Sequence, residues 1–287
     1  MFRKVAIIGP GLIGGSMGIA LRQKELAELV VGIGRREESL QRAVGVGAVD
    51  ETTLDVREGV HGADLVVLAT PADEFQQLAA AAAPALKPRA IVTDVASTKV
   101  KVIETISATL RERPEVAYIP THPMAGSEHS GPLAARGDLF QGAVCIITPL
   151  TNTFPETKSA IVRMWESLGA HTVSMTPQAH DRLVARISHT PHLAAAALMA
   201  LTEDDEARLG GGGLRDTTRV ASGDPDLWVG ICRANRGEVH AALRDYIAIL
   251  EEVAASLRNG DLGYLKDFLQ KAKRKRDETI ANEENSA

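Results

Sequence analysis

The first 176 residues alternate short apolar runs with longer stretches of helical periodicity. The apolar runs, which are rich in β-branched residues, predict strands at Lys4–Ile8, Leu29–Ile33, Asp64–Ala69, Ala90–Thr93, Val116–Ile119, Val144–Thr148 and Thr172–Met175. The stretches between them predict helices at Leu12–Gln23, Glu37–Val44, Ala72–Ala83, Lys99–Arg111 and Glu156–Leu168. Strands that alternate with helices form right-handed βαβ units, so we expect an α/β domain with a mostly parallel sheet.

After Thr176-Pro177 the strand-like runs stop and helical periodicity continues to the end. It predicts helices at Gln178–Thr202, Asp226–Arg258 and Leu262–Thr279. The residue before a proline disfavours helix and a proline can open one, so we place a domain boundary here. We therefore expect an α/β domain over residues 1–176 and an all-α domain over 177–287. The alanine-rich helix faces of the second domain permit close packing against a second copy, so we expect a homodimer.

Composition narrows the classes of function. The net charge is −5, and no basic stripe interleaves with aromatic residues, so we expect no nucleic-acid partner. No apolar run is long enough to span a bilayer, and the apolar run near the N-terminus is too short for a signal peptide. Two cysteines are too few for a disulfide framework or a metal cage. We expect a cytoplasmic protein that binds a small molecule and has no membrane partner.

A glycine motif follows the first predicted strand and opens the first predicted helix. Gly9, Gly11 and Gly14 match G-x-G-x-x-G. The first glycine permits the tight turn, the second the approach of a pyrophosphate, and the third close packing of helix on strand. Leu12 and Ile13 begin the helix, whose free N–H groups and dipole favour an anion. The motif in this context predicts a Rossmann-type dinucleotide site; the alternative is a glycine-rich turn without a ligand.

The end of the second strand bears on which dinucleotide binds. Sites for NAD usually carry an acid there that holds the ribose hydroxyls. This chain has Arg35 and Arg36 in that region, and arginine can pair with a 2′-phosphate. We therefore favour NADP over NAD. The alternative is that the arginines only begin a surface helix whose first turn contains Glu37 and Glu38.

Two further strand ends carry polar residues. Loops after the carboxyl ends of parallel strands are where such sheets bind ligands. Thr70 follows one strand, and Asp94 and Ser97 follow the next. Asp94, Ser97 and Lys99 could face a ligand, and we expect Thr70 and Asp94 to contact the cofactor. The alternative for Ser97 or Thr98 is to cap the next helix.

The segment HPMAGSEHSGP begins with His122, again at the carboxyl end of a predicted strand. Histidine can exchange a proton near neutral pH, although an isolated histidine is more often structural. Ser127, in the glycine-containing continuation, favours a loop that lines a site, whereas we interpret His129 as a surface residue. His122 is therefore a candidate base.

The second domain contains a further polar group of residues. His189 and His192 lie one helical turn apart and share a face; because no H-E-x-x-H pattern accompanies them, we expect no metal. Four glycines, Gly210–Gly213, predict a loop before a short helix with Asp216 and two arginines, Arg215 and Arg219. These arginines also share a face, and their planar guanidinium groups suit carboxylate binding. The alternative is a solvated helix face.

Taken together, these motifs resemble the TyrA family, the prephenate, arogenate and cyclohexadienyl dehydrogenases of tyrosine biosynthesis. The resemblance rests on GPGLIGGS, VTDVASTK, HPMAGSEHSGP, ISHTPH and GLRDTTRVASGDPDLW, which occur in order over nearly the whole chain. It implies a Rossmann-type domain followed by a helical dimerisation domain. The chain resembles a monofunctional form, without the chorismate mutase or ACT domain of some members.

The resemblance also implies a reaction: oxidative decarboxylation of a cyclohexadiene, with hydride transfer to NAD or NADP. It implies that His122 accepts the proton of the ring hydroxyl, that Ser97 orients that hydroxyl, and that Arg219 binds a substrate carboxylate. It places the remaining substrate-binding candidates beside them: Ser127, His189, His192 and Asp216.

Three alternatives stay open at this point. The substrate is prephenate in our preferred interpretation, with arogenate or both as the alternative. A second possibility is another two-domain dehydrogenase, such as a 3-hydroxyacid dehydrogenase, although we find no convincing catalytic lysine between Pro177 and Asn235. The third is a non-catalytic NADP-binding sensor.

Overall fold

A mostly parallel sheet of eight strands forms the centre of the first domain. The computed structural model describes residues 1–127, 129–151 and 153–284, with side chains as far as residue 280. The strand order in space is β3-β2-β1-β4-β5-β6-β7-β8, and only the β6–β7 pair is antiparallel. The strands are β1 (Phe2–Ile8), β2 (Ala27–Ile33), β3 (Glu51–Thr53), β4 (Leu65–Leu68), β5 (Ile91–Asp94), β6 (Ala117–Pro123), β7 (Val144–Ile147) and β8 (His171–Ser174).

Helices cover both faces of this sheet. They are α1 (Leu12–Gln23), α2 (Glu37–Gly45), α3 (Val56–Val60), α4 (Phe75–Ala82), α5 (Val100–Thr109) and α6 (Pro155–Ser167). Successive side chains of a strand point to opposite faces, so Val5 and Ile7 enter one hydrophobic cluster while Ala6 and Ile8 enter the other. This double burial explains why the strands are continuous apolar runs.

The second domain is helical. It contains α7 (Pro177–Val184), a π-helical segment (Ala185–His189), α8 (Thr190–Leu201), α9 (Asp204–Leu209), α10 (Gly212–Thr218), α11 (Pro225–Ala234), α12 (Arg236–Asn259) and α13 (Leu262–Glu284). The hydroxyl of Thr176 accepts a hydrogen bond from the N–H of Ala179, and Pro177 occupies the first turn, where its missing N–H costs nothing. Within the described residues, no helix has both the length and the apolar character needed to cross a membrane.

The structure differs from the sequence predictions at several places, and four of them bear on the architecture. The short edge strand β3 was not predicted, because three partly exposed residues carry no hydrophobic period. The predicted helix Asp226–Arg258 is two helices, separated at Asn235. The predicted helix Gln178–Thr202 contains the π-helical segment. The predicted glycine loop ends early, since α10 begins at Gly212.

Candidate active site

The glycine turn between β1 and α1 forms an open cradle. Gly9 has φ +91°, a conformation that favours glycine, and a Cβ there would lie 2.9 Å from the backbone of Ala69. A Cβ on Gly14 would lie 2.5 Å from the carbonyl oxygen of Gly9. At Gly11, by contrast, a Cβ would meet no atom within 4 Å. The tight turn and the empty space at the start of α1 fit a pyrophosphate, with Leu12 and Ile13 in the first helical turn.

The two arginines after β2 lie at the surface. The Arg35 guanidinium is 83% exposed and forms an ion pair of 2.9 Å with Glu74, in the turn Ala72–Glu74 that follows β4. Arg36 is exposed and precedes the first turn of α2. Thr70 is half-buried beside Gly9. These positions leave both guanidinium groups accessible to a ligand at the β2 end of the cradle.

Asp94 has a different environment from the one we expected. Its carboxylate is fully buried, where it accepts hydrogen bonds from the Lys99 ammonium at 2.7 Å and the Tyr118 hydroxyl at 2.7 Å. The N–H of Ala96 donates to the same carboxylate at 2.9 Å. The predicted cofactor contact is therefore corrected to a supporting role, because no part of this side chain is exposed to a ligand. Burial raises the pKa of Tyr118, and the Asp94 charge adds to that rise.

His122 lies near the end of β6 and is the first member of a chain of buried hydrogen bonds. Its Nδ1 lies 2.8 Å from Nε2 of His180, on α7. Nδ1 of His180 lies 2.8 Å from Oδ1 of Asp181. The main-chain N–H groups of Lys99 and Val100, at the start of α5, donate to the two oxygens of Asp181 at 2.7 and 2.9 Å. This chain of hydrogen bonds therefore joins the sheet domain to the helical domain.

These contacts determine the positions of the protons. Three hydrogen bonds stabilise the ionised carboxylate and, despite burial, the pKa of Asp181 lies below its usual value. An ionised carboxylate only accepts, so His180 donates from Nδ1 and accepts at Nε2. His122 then donates from Nδ1 to His180, which leaves its Nε2 with a free electron pair. His122 is therefore arranged as a base at Nε2.

The histidines of this site are held neutral. Burial places the pKa of His122 well below its usual range, and the Lys99 ammonium lowers that pKa further. Burial also lowers the pKa of His180, although the Asp181 carboxylate opposes this. Burial lowers the pKa of His189 to about 4. A neutral imidazole can accept a proton, so the electrostatics suit a base.

Asn235 and Trp228 connect this chain of hydrogen bonds to the predicted substrate residues. Nδ2 of Asn235 donates to the carbonyl of Asp181 at 2.8 Å and lies 3.4 Å from Nδ1 of His189. The ring of Trp228 stacks on His192 at 3.5 Å between ring centroids and meets His189 edge-on at 6.0 Å. Among the described residues, Nε2 of His189 and Nδ1 of His192 have no hydrogen-bond partner although both atoms are buried.

A cavity of about 480 Å³ opens on the helical domain. Ala196 and Met199 of α8 form one wall, one and two turns beyond His192 on the same helix face. Arg215 and Arg219 lie on the opposite side and supply its positive charge. Arg219 belongs to the short 3-10 helix Arg219–Ser222, which follows α10. The cavity offers two guanidinium groups to an anion.

The structure does not bring every predicted residue into these contacts. Ser97 is half-buried in the loop between β5 and α5. Ser127 is exposed, and its hydroxyl accepts a hydrogen bond from the N–H of His129, two residues along the loop. Asp216 is exposed on α10 and does not line the cavity of the arginines.

Sequence reasoning missed His180, Asp181, Asn235 and Trp228, and it placed Lys99 at a ligand rather than in the protein interior. His180 and Asp181 stand in the polar first helix after the domain boundary, where His-Asp looks like an ordinary solvated turn. Their position could have indicated burial. Helix α7 follows the last strand directly, so its first turns lie beside the sheet domain. Burial of Lys99 had no local signal.

Two family models match the chain. One describes the nucleotide-binding domain of prephenate dehydrogenase and matches residues 17–174. The other describes the dimerization domain of prephenate dehydrogenase and matches residues 176–271. Together they cover most of the chain, and His122, His180 and Asp181 all lie inside the matched ranges.

Individual proteins with similar sequences or structures are dehydrogenases of the same kind. A cyclohexadienyl dehydrogenase of Zymomonas mobilis is 34% identical over 284 residues, 96% of each chain. The crystal structure of prephenate dehydrogenase from Aquifex aeolicus, in complex with hydroxyphenyl propionate and NAD+, has a TM-score of 0.88 at 29% identity and covers 97% of this chain and 98% of its own. The Synechocystis arogenate dehydrogenase structure has a TM-score of 0.80 at 31% identity and covers 96% and 99%.

Proposed function

The chain belongs to the prephenate dehydrogenase family, and from this we propose that its site converts prephenate to 4-hydroxyphenylpyruvate by oxidative decarboxylation. The protein is an NAD(P)-dependent oxidoreductase of this family. The observation that carries the proposed mechanism is the hydrogen-bond chain from His122 through His180 to Asp181. It supplies a neutral base whose free nitrogen is fixed.

The reaction needs one proton acceptor and one hydride acceptor. The glycine turn of Gly9, Gly11 and Gly14 would hold the nicotinamide dinucleotide, which would supply the acceptor for the hydride that leaves the ring carbon bearing the hydroxyl. Nε2 of His122 accepts the hydroxyl proton, so the C–O bond gains carbonyl character. The bond from the ring to its carboxylate then breaks and carbon dioxide leaves. The released electron pair makes the ring aromatic, and the ring oxygen, which becomes a phenolate, takes back a proton to give the hydroxyl group of the product. His180 and Asp181 keep the His122 ring oriented during the proton transfer.

The remaining predicted residues take part in substrate binding in this proposal. Ser97 orients the ring hydroxyl, and Arg219 binds a carboxylate of the substrate. Arg215 adds positive charge in the same cavity. The unpartnered His189 and His192 nitrogens face the substrate side chain. Ser127 and Asp216 stay predictions as further contacts from the surrounding loop and helix.

For the cofactor we propose a preference for NADP. The cradle of Gly9, Gly11 and Gly14 fits the pyrophosphate of either dinucleotide. No acid follows β2 directly; Gly34 occupies that place, and Arg35 and Arg36 come next. The accessible Arg35 guanidinium suits a 2′-phosphate, which would compete with Glu74 for it.

Arogenate is the second candidate substrate. The relatives named above include a cyclohexadienyl dehydrogenase and an arogenate dehydrogenase. Prephenate and arogenate share the ring and differ only in the side chain, which is a keto acid in one and an amino acid in the other. The same base and the same hydride transfer serve both.

The test is formation of reduced nicotinamide by the purified protein in four mixtures, prephenate or arogenate with NADP or NAD. We expect turnover with prephenate and a higher kcat/KM with NADP. An Arg35→Ala variant should lose the NADP preference while keeping the reaction with NAD, and Arg42→Ala, another exposed arginine on α2, is the matched control. Absence of turnover in all four mixtures, from a protein that binds the dinucleotide, would contradict the proposal and favour a sensor.

We also propose a homodimer through the helical domain, whose family model is described as a dimerization domain. Its last two helices expose several large apolar side chains that one copy leaves uncovered: Ile249, Leu250, Leu257, Leu262 and Leu269. Light scattering coupled to gel filtration measures the mass directly. A monomer at micromolar concentration would contradict this assignment.

A further inference from the structure

Lys99 is a fully buried lysine at the active site whose charge the proposed reaction does not use. Its ammonium donates to Oδ1 of Asp94 at 2.7 Å, and to the carbonyl oxygens of Ala96 at 2.8 Å and Thr98 at 3.3 Å. A buried ion pair is poor evidence for stability, because well-packed apolar residues of similar volume often stabilise a protein as much or more. The placement of this charge therefore calls for a reason other than packing.

Hydrogen bonds connect the Lys99–Asp94 pair to His122 by two routes, one through Asp181 and His180 and the other through Thr121. On one side, the main-chain N–H of Lys99 donates to Oδ1 of Asp181, the same oxygen that receives the hydrogen bond of His180. On the other side, the hydroxyl of Thr121 donates to the carbonyl of Asp94 at 2.6 Å, and His122 is the next residue. The position of the ammonium relative to the imidazole is thus fixed by the sheet and by the histidine chain together.

The carboxylate beside Lys99 is shared among several donors. The Tyr118 hydroxyl and the N–H of Ala96 also donate to Asp94, so Lys99 is only one of its partners. The other titratable groups around His122 in the described part of the chain come from each neighbouring element. They are Tyr118 of β6, Cys145 of β7, His180 and Asp181 of α7, and His189 of the π-helical segment.

We propose that Lys99 is a positioning residue for the reaction, whose fixed buried charge keeps His122 neutral and ready to accept a proton. The proposal rests on the proposed function, in which His122 is the base. A positive charge that cannot move away makes a second positive charge on the nearby imidazole unfavourable. Lys99 is also among the groups that lower the pKa of His122 and of His180. The consequence is a base that stays active in mildly acidic solution.

The test measures the protonation of His122 in three variants. Lys99→Met removes the charge and keeps an apolar chain of similar length. Lys99→Met with Asp94→Asn removes both charges and avoids a lone buried carboxylate, so it serves if the single variant does not fold. Asp94→Asn keeps the ammonium and is the control. Two readouts apply: the acidic limb of the pH profile of kcat/KM, and NMR titration of the His122 resonance in protein labelled at histidine.

Removal of the ammonium should raise the pH of the acidic limb and the NMR midpoint of His122 by about one unit in Lys99→Met, and by less in the double variant, because loss of the Asp94 carboxylate acts in the opposite direction. Asp94→Asn should leave both at or below their wild-type values. A merely structural role would lower kcat without moving either midpoint. Folded Lys99→Met and double variants with an unchanged His122 midpoint would overturn the proposal. The NMR readout needs no turnover, so it decides this inference even if the reaction itself is wrongly assigned.

Discussion

At the scale of single residues, the site depends on which nitrogen of each histidine carries a proton. Asp181 accepts from His180, and His180 accepts from His122, so the order of donors is determined from the carboxylate outward. The main-chain N–H groups at the start of α5 keep Asp181 ionised. A substitution at either end of this hydrogen-bond chain would therefore change which nitrogen of His122 carries the proton.

Replacement of the base tests the first of these residues. His122→Asn keeps a hydrogen-bonding side chain but cannot accept the hydroxyl proton. We expect kcat to fall by about 10²–10⁴-fold with a small change in the KM for prephenate. Steady-state kinetics measures both. His171→Asn makes the same change at an exposed histidine of β8 and should keep its activity; equal turnover in the two variants would remove His122 from the mechanism.

Replacement of Asp181 tests the carboxylate end of the hydrogen-bond chain. Asp181→Asn removes the charge that fixes His180, and its amide group presents donors to an N–H that needs an acceptor. We expect kcat to fall by about 10–100-fold, with KM nearly constant, because only the orientation of the base is lost. Asp205→Asn, at an exposed position, is the matched control. Normal kinetics in a folded Asp181→Asn protein would contradict the proton order given above.

At the scale of elements, the glycines in the turn between β1 and α1 are needed for two different reasons, packing within the fold and access for a ligand. Gly14 meets a requirement of the fold, since a Cβ there would lie 2.9 Å from both Ile7 and Ala69. Gly11 meets none that the protein itself imposes, because the space around it is open. We therefore propose that the need for glycine at position 11 comes from the ligand.

This difference predicts opposite outcomes for two similar substitutions. Gly14→Ala should lower the stability of the free protein by about 1–3 kcal/mol, because the added methyl group overpacks the contact of helix and strand. Gly11→Ala should leave the stability of the free protein unchanged and weaken dinucleotide binding. Thermal unfolding and fluorescence titration measure the two effects. Full affinity in Gly11→Ala would mean that the pyrophosphate does not approach this residue.

Sequence periodicity found most elements, because most strands are continuous apolar runs and the helices between them repeat their apolar residues with helical spacing. Helix α1 was predicted at Leu12–Gln23, as observed. The edge strand β3 and the π-helical segment were not predicted, since neither changes the hydrophobic period. At the site, His122 has a local motif that indicates a loop at a ligand, whereas His180 and Asp181 become meaningful only when α7 packs against α5. Burial created between domains leaves no pattern in either segment alone.

At the scale of the whole molecule, the two domains meet through ionisable groups. His122 comes from the sheet domain, while His180 and His189 come from the helical domain. All three are buried with lowered pKa values. Neutral histidines at a domain interface make the folded state sensitive to acid.

We expect stability to fall as the pH decreases from about 6.5 towards 4. The unfolded chain protonates these histidines near 6.5, whereas the folded protein does so only at lower pH, so protons favour unfolding in that interval. Each such histidine adds up to about 1.4 kcal/mol per pH unit to the slope. Urea unfolding at several pH values measures this slope. His122→Asn should make it shallower and His171→Asn should not; a flat profile would mean that the histidines have the same pKa in the folded and unfolded states.

The hydrogen-bond chain that crosses the domain boundary has a consequence for how this protein can diversify. One domain contributes the base, and the other contributes the histidine and carboxylate that set its proton. Recombination near Thr176 that joins domains from two diverged relatives would preserve each fold but separate partners that had changed together. We therefore expect the two halves to be inherited as a unit, with compensating substitutions on the two sides of the boundary in diverged relatives.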